Sequence, residues 1–361
     1  MDKSTIVEMI KNKHIENVSI NLAKSNINYL DFSGCTIINV KFIGEEPDDN
    51  LCLKVKFKSS NLTNVDFANL ILSKFDFENS ILNKVSFRNS TIKMCRFRNA
   101  LLSYNDFRYS KIENSTFQSA KIKYCDFYRT RFIENNLFIA SLIENCSIST
   151  YFDGSVFRKE NLANGKILQQ DYKKYSDFLN KWNEERLNDA NEYALFDIDE
   201  SLNSRFKQAE CIYRELCGVW NAKGFYSDAN WAYIQAKRME RTIFIQKLKY
   251  EKKLHFVNVF VIISSWIIDF CFGYGESVLK TIRTYILTIL LGAMFIYFVF
   301  PLDSVLTSLE WSIKSMVAQC PKEMINHNSF IIKLFCVLQS TIGVILTGIF
   351  GFIIANKIRN Q

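Results

Sequence analysis

The sequence predicts a multidomain chain: a β-solenoid of very short repeats, then an α-helical segment, then a helical membrane domain. Three observations carry this. Counting in fives from Phe57 to Leu162 lands almost every time on a large apolar side chain. After Leu162 the pattern changes to helical periodicity with many charges, and from His255 onward the chain is mostly apolar. A period of five fits neither an α-helix nor a flat strand. It signals a stack of repeats, none of which can bury its apolar residue alone.

Phe57, Phe67, Phe77, Phe87, Phe97, Phe107, Phe117 and Phe127 alternate with Leu62, Leu72, Leu82, Ile92, Leu102, Ile112 and Ile122. The count continues through Phe132, Leu137, Leu142, Phe152, Phe157 and Leu162, failing at Ser147, where Ile148 suggests a one-residue slip. Two positions before each centre the residue is usually small, as at Ser60, Ser80, Ser90, Cys95, Ala100, Ser110, Ala120, Cys125, Thr130 and Ala140. Segments such as VDFANL, CRFRNA and CDFYRT resemble the pentapeptide-repeat family. The resemblance implies a right-handed quadrilateral β-helix of about four repeats per coil, with the centre and the small residue both pointing inward. On such a coil the alternation puts Phe on two opposite walls and Leu or Ile on the other two.

The solenoid is expected over residues 20–162, since the register reaches back through Phe42, Ile37, Phe32, Ile27 and Leu22. The stretch 43–54, with Gly44-Glu45-Glu46-Pro47-Asp48-Asp49-Asn50, reads as a loop thrown out of the coil. Residues 1–19 are expected to cap the open end, with a short helix from Ser4 to Lys13 covering strand edges. Residues 1–30 lack an uninterrupted apolar core, so no signal peptide is expected.

Composition excludes several function classes. Of the ten cysteines, Cys35, Cys95 and Cys125 fall on the small inward position, which reads as structural thiols in a reducing compartment. The three histidines, His14, His255 and His327, have no zinc-type spacing and no catalytic partner nearby. No enzyme activity, cofactor or metal is expected. Some relatives of this fold mimic DNA and bind type II topoisomerases, which takes a strongly acidic rod. Residues 1–162 hold 22 Lys and Arg against 18 Asp and Glu. That balance argues against mimicry, and no single basic stripe argues for nucleic acid as a partner.

Residues 163–254 read as a helical connector, with the acidic stretch Asp197-Ile198-Asp199-Glu200 inside it. Within residues 210–243, the order Tyr213, Leu216, Trp220, Gly224, Tyr226, Ala229, Tyr233 and Ala236 resembles one tetratricopeptide hairpin. Arg241 stands where the terminal proline usually does, so the second helix is expected to run on. The hairpin reads as a connector or as a docking surface for a protein partner or ligand.

Residues 255–361 form the expected membrane domain. A helix needs about 20 apolar residues to span a bilayer. The stretches 281–300 and 329–356 meet that, whereas 256–272 contains Asn258, Ser264, Ser265 and Asp269, which are costly in lipid. Lys237, Arg238, Arg241, Lys247, Lys249, Lys252 and Lys253 precede the first stretch, Lys280 and Arg283 the second, and Lys357 and Arg359 follow the third. If only 281–300 and 329–356 cross, every cluster lies on one side, as the positive-inside rule prefers. Residues 256–272 are therefore expected to lie in the interface, with both termini cytoplasmic.

Between the crossing helices, residues 302–326 hold a helical stretch with Trp311 at the membrane boundary. Helix, re-entrant pore helix, loop, helix resembles the pore domain of tetrameric cation channels. Leu309 to Ser315 is similar to their pore helix, and Gly343 to Ile358 to their inner helix. The resemblance makes Lys314, Ser315, Met316, Val317, Ala318, Gln319 and Cys320 filter candidates, Gly343, Gly348 and Gly351 hinge candidates, and Gln339 and Thr347 pore-lining candidates. The alternative for the glycines is close helix packing by small residues.

Potassium channels carry Thr-Val-Gly-Tyr-Gly at the filter, where this chain has Ala318-Gln319-Cys320-Pro321-Lys322, so potassium selectivity of the usual kind is not expected. Phe272-Gly273-Tyr274-Gly275-Glu276 imitates a filter on paper but has no spanning helix before it, and is expected to be a turn. The expectation is a bacterial inner-membrane, multi-pass, homotetrameric pore gated by its solenoid. Such a pore would dissipate the membrane potential, as in stress response or phage defence. The competing reading is a non-conducting membrane-anchored scaffold.

Overall fold

The computed structural model describes residues 3–22, 29–44, 54–152, 155–171, 173–178, 180, 202–251, 256–300, 304–326 and 329–359. The stretch 45–53, most of the expected loop, and the acidic stretch 197–200 lie outside them, as do Lys252, Lys253 and His255. The chain forms two compact units, Met1–Gln246 and Lys247–Gln361.

The first unit opens with helix α1 (Lys3–Lys11), whose Ile6 is buried in the solenoid core. The first strand, β1 (His14–Glu16), follows at once with Ile15 buried, so the coil begins before the expected residue 20. One wall is a seven-stranded parallel sheet of β1, β4 (Thr36–Ile38), β7 (Asn61–Thr63), β9 (Ile81–Asn83), β11 (Leu101–Ser103), β13 (Lys121–Lys123) and β15 (Leu142–Glu144). A second wall pairs β8 (Ile71–Ser73), β10 (Thr91–Lys93), β12 (Lys111–Glu113), β14 (Asp126–Ile133) and β16 (Ser147–Phe152). The remaining two walls start with β2 (Ser19–Asn21) on β5 (Lys41–Ile43) and β3 (Tyr29–Asp31) on β6 (Lys54–Lys56). They continue as bridges such as Asp66↔Ser86 and Asp76↔Arg96. The solenoid makes about six turns.

Its core is two phenylalanine ladders. Phe57, Phe77, Phe97 and Phe117 stack face to face, with centroids 4.7–5.1 Å apart, and Phe67, Phe87, Phe107 and Phe127 at 4.8–5.4 Å. The ladders meet edge to face, as at Phe77 and Phe87, 5.9 Å apart at 87°. The small residues close the corners: the hydroxyls of Ser80 and Ser110 donate to the carbonyls of Phe77 and Phe107 at 2.5 and 2.7 Å, and Cys95 donates to Leu72 at 3.2 Å. Burial pushes the Cys95 thiol up to about 12, so it is an inert filler, as the spacing suggested.

The slip lies elsewhere than expected. Phe138 and Ile143, not Leu137 and Leu142, occupy the core, and Ser141 rather than Ala140 takes the small position. Six residues therefore separate the Phe132 and Phe138 centres, and Asn136 fills the corner by donating to the Ile112 carbonyl at 2.8 Å. The offset is taken back between β14 and β16, where Phe127 pairs with Ile148 but Phe132 with Phe152.

Two positions after each centre the backbone enters the left-handed region, at Asn64, Asn69, Asn79, Asn89 and Asn99 among others. Asparagine tolerates that conformation and repeats on the next coil: the Asn64 amide donates to Asn39 at 2.8 Å and Asn39 to Asn17 at 3.0 Å.

After the last coil come helices α2 (Leu202–Ala222) and α3 (Tyr226–Glu251), turning at Gly224 (φ +76°). Tyr213, Leu216, Trp220, Ala229 and Ala236 belong to the same core as the solenoid phenylalanines. The Trp220 indole donates to the Phe157 carbonyl and its ring stacks on Phe157. Ile167 N–H donates to Tyr213 at 3.1 Å, and Arg158 pairs with Asp228. The hairpin thus closes the C-terminal end of the solenoid with the residues whose spacing reads as hairpin packing. Trp220→Ala should destabilise this end by about 3–5 kcal/mol, seen as faster hydrogen exchange in residues 147–170 with the coils around Phe77 unchanged.

Glu215 on α2 is half-buried, and desolvation raises its carboxyl to about 7. Since the folded chain holds this proton between the unfolded value and about 7, its contribution to stability falls as pH rises through that window and is level above it. Glu215→Gln should leave the unfolding midpoint unchanged at pH 4 and raise it modestly at pH 8, the effect being limited by the partial exposure.

Candidate functional site

The second unit contains helices α4 (Phe256–Phe272), α5 (Val278–Val299), α6 (Val305–Met316), α7 (Lys322–Ile325) and α8 (Phe330–Arg359). Two are long and apolar enough to cross a membrane: Val278–Val299, mean hydropathy 1.9, and Phe330–Ala355, mean hydropathy 2.1. Only 17% and 22% of these stretches is buried within the chain, unlike the core helix of a globular domain. Apolar α4 is shorter, as expected for 256–272.

The turn between α4 and α5 carries the filter-like run. Gly273, Tyr274 and Gly275 all have positive φ, and their N–H groups donate back to Asp269, Ile268 and Phe272. Tyr274 bonds Ser265 at 2.7 Å, and Lys280 caps the turn with bonds of 2.8 Å to both the carbonyl and the carboxylate of Asp269. Here Gly-Tyr-Gly is a closed turn, and the costly polar groups Ser265 and Asp269 find partners inside it.

Short helix α6 packs against both long helices at one polar knot. Ser304 caps it, its hydroxyl oxygen accepting from Leu306 N–H at 3.1 Å. The Ser312 hydroxyl donates to the Ile289 carbonyl of α5 at 2.7 Å, and the Gln339 amide of α8 donates to that hydroxyl at 2.6 Å and to the Ser312 carbonyl at 3.3 Å. Ser340 donates to the Ser315 carbonyl at 2.9 Å. Two glycines allow the approach. A Cβ on Gly292 would enter the space of Ser312 and Gln339, and one on Gly343 would collide with the Met316 carbonyl, with that carbon at 2.8 Å. Ser308, Ser312, Ser315 and Met316 are all buried here.

This geometry divides the candidates. Gln339 is 3% exposed and occupied by Ser312, so it fastens two helices and does not line an opening. Gly343 is a packing contact, whereas a Cβ on Gly348 or Gly351 meets nothing within 4 Å. Thr347 donates to the Gly343 carbonyl at 2.8 Å and lies 3.3 Å from the Tyr285 hydroxyl.

Among the filter candidates, the Lys314 carbonyl accepts from Gln319 N–H and the Ser315 carbonyl from Ala318 N–H and Ser340, while the Met316 carbonyl faces Gly343. Those three carbonyls close a helix C-terminus and are not free to replace an ion's water. Lys314 is half-exposed and paired with Glu310 at 2.6 Å. Val317, Ala318 and Gln319 are exposed beyond it, Ala318 with φ +60°. Cys320 is partly buried, 3.3 Å from the Ser315 hydroxyl. The fastening Ser312 was not legible as such: serines in an apolar helix read equally well as solvent-facing.

No group of His, Cys, Asp and Glu among the described residues is placed to hold a metal ion.

Comparison with known proteins reaches the repeats. The family model described as pentapeptide repeats matches residues 60–99 and 81–118 in 8 copies. Among solved structures, HetL, a pentapeptide repeat protein involved in heterocyst differentiation regulation from the cyanobacterium Nostoc sp. strain PCC 7120, is 14% identical. That match covers 43% of this chain and 70% of HetL, with TM-score 0.28. The pentapeptide repeat protein Rfr23 from the cyanobacterium Cyanothece 51142 is 10% identical over 43% of this chain and 98% of that one, TM-score 0.23. A pentapeptide repeat protein from the Arabidopsis thaliana thylakoid lumen is 21% identical over 26% of this chain and 60% of that one, TM-score 0.20. No curated protein matches the chain. The family match lies within the stacked coils whose ladder has a step of five, so residues 60–118 of the solenoid are pentapeptide repeats.

Proposed function

We propose that this is an oligomeric membrane pore, with the solenoid and its closing hairpin as a cytoplasmic arm for sensing or assembly. The observation that supports it is the placing of α6: a twelve-residue helix too short to span, fastened to both long helices through Ser312. Hydrogen bonds of this kind between apolar helices fix the position of α6 against both of them. What it positions is the exposed turn 317–319, which in a ring of subunits would meet its own copies at the symmetry axis. A tetramer follows from the two-helix pore plan.

With the carbonyls of Lys314, Ser315 and Met316 turned inward and the Lys314 charge paired with Glu310, selectivity would rest on the Gln319 side chain rather than on a carbonyl cage. Poor discrimination between small ions is the expected property. Opening would bend α8 at Gly348 or Gly351, since Gly343 is locked. The positive clusters on one side of both crossing helices support a topology with both termini and the solenoid in the cytoplasm.

The test is ion flux in liposomes carrying the full-length protein. Wild type should pass Na+ and K+ alike, and the double variant Gln319→Trp, Cys320→Trp should lose at least tenfold of that flux while keeping its oligomer size. Equal flux from both would remove the turn from the pathway. The scaffold reading has its own support in the buried place of Gln339, and it predicts no flux from either protein.

A further inference from the structure

Two cysteines of the second unit stand apart from the inert thiols of the solenoid. Cys320 lies in the turn that follows α6, and Cys336 one and a half turns into α8. Cys336 is buried in one small apolar cluster with Ile296, Met324 and Ile332, and Cys320 packs against that same cluster. The Ser315 hydroxyl lies 3.3 Å from the Cys320 sulfur, and the Ser315 carbonyl accepts from Ser340 of α8. Among the described residues no cysteine is bridged.

We propose that Cys320 and Cys336 are a modification site, the two halves of a disulfide that ties the exposed turn to the outer end of α8. The bond lies on the membrane face opposite the positive clusters. This rests on the two-crossing topology given above, because a chain crossing at α5 and α8 puts this turn outside the cytoplasm, where disulfides persist. In the step, each thiol gives up a proton, one S–S bond forms, and two electrons pass to a thiol–disulfide oxidant, which leaves as a dithiol. The described solenoid thiols, Cys35, Cys95, Cys125 and Cys146, are buried and take no part. The bond would hold the turn against α8 and so limit how far that helix moves beneath it. Reduction would release it.

The experiment uses the full-length protein in cells and in detergent. Cells are quenched in acid, free thiols are blocked with N-ethylmaleimide, and peptides are mapped under non-reducing conditions. The expected result is a Cys320–Cys336 cross-linked peptide, lost on reduction with dithiothreitol and absent from Cys320→Ser. Blocked, unlinked thiols at both positions in cells would overturn the proposal. The detergent arm then says why. If dithiodipyridine forms the same cross-link in purified protein, the geometry is right and the outside placement of the turn is wrong. If exposed Cys211 reacts with dithiodipyridine but no Cys320–Cys336 peptide appears, the sulfurs do not meet and the topology reading is untouched.

Discussion

Phe97→Ala should cost about 3–5 kcal/mol and disorder the coils on either side of it. The ring is fully buried, stacked 4.9 Å from Phe77 and 4.7 Å from Phe117, and edge-on to Phe87 at 6.0 Å. Removing it deletes the hydrophobic contribution of one ring and leaves a gap that its neighbours cannot close, because their backbones are pinned by the parallel ladders above and below. In a solenoid each coil is held only by its neighbours, so the damage is local in sequence yet interrupts the stack. Hydrogen exchange on the full chain should show lost protection across residues 77–117, while Met94→Ala, at an exposed site on the same coil, should change stability by under about 0.5 kcal/mol.

Gly343→Ala should be the most damaging single methyl in the second unit. Its Cβ would press into the Met316 backbone, which cannot rotate away as a side chain can. Overpacking of this kind costs about 1–3 kcal/mol, and here α8 would also move off α6 and break the Gln339–Ser312 and Ser340–Ser315 bonds. Thermal denaturation in detergent should show a clear fall in midpoint for Gly343→Ala. Gly348→Ala, where the added methyl meets open space, should keep the midpoint and alter only opening. Equal falls for both would mean that α8 packs along its whole length and that Gly343 has no special place.

Much of the solenoid is legible because its chemistry is redundant: a large apolar residue every five positions signals stacked repeats, and the two Phe ladders follow from alternation on the four-sided coil that the resemblance implies. The slip was misplaced for a physical reason. Leu137-Phe138 and Leu142-Ile143 are adjacent apolar pairs, so either member fits the count, and only the corner carbonyl that Asn136 satisfies decides between them. The asparagines at the left-handed turns were in plain sight, recurring two positions after the centre at Asn64, Asn69, Asn79, Asn89 and Asn99.

The hairpin spacing was read correctly as helical, but spacing cannot say what a helix packs on. Tyr213 and Trp220 turn out to close the last coil. In the second unit, helix lengths and the Gly-Tyr-Gly turn follow from composition and charge. The roles of Gln339 and Gly343 do not, since a polar residue or a glycine in an apolar helix serves an opening and a packing contact equally well until its neighbour is known. Ser312 and Met316 are those neighbours.

The proposed function makes the α5–α6–α8 unit a path for ions. Single-channel recording from full-length protein in a planar bilayer tests it most directly. Discrete current steps are expected, with K+ and Na+ permeabilities within a few-fold of each other, that vanish for Gln319→Trp, Cys320→Trp. A silent bilayer, with insertion and oligomer size verified in the same preparation and with reductant present, would contradict it and leave the solenoid on a membrane anchor.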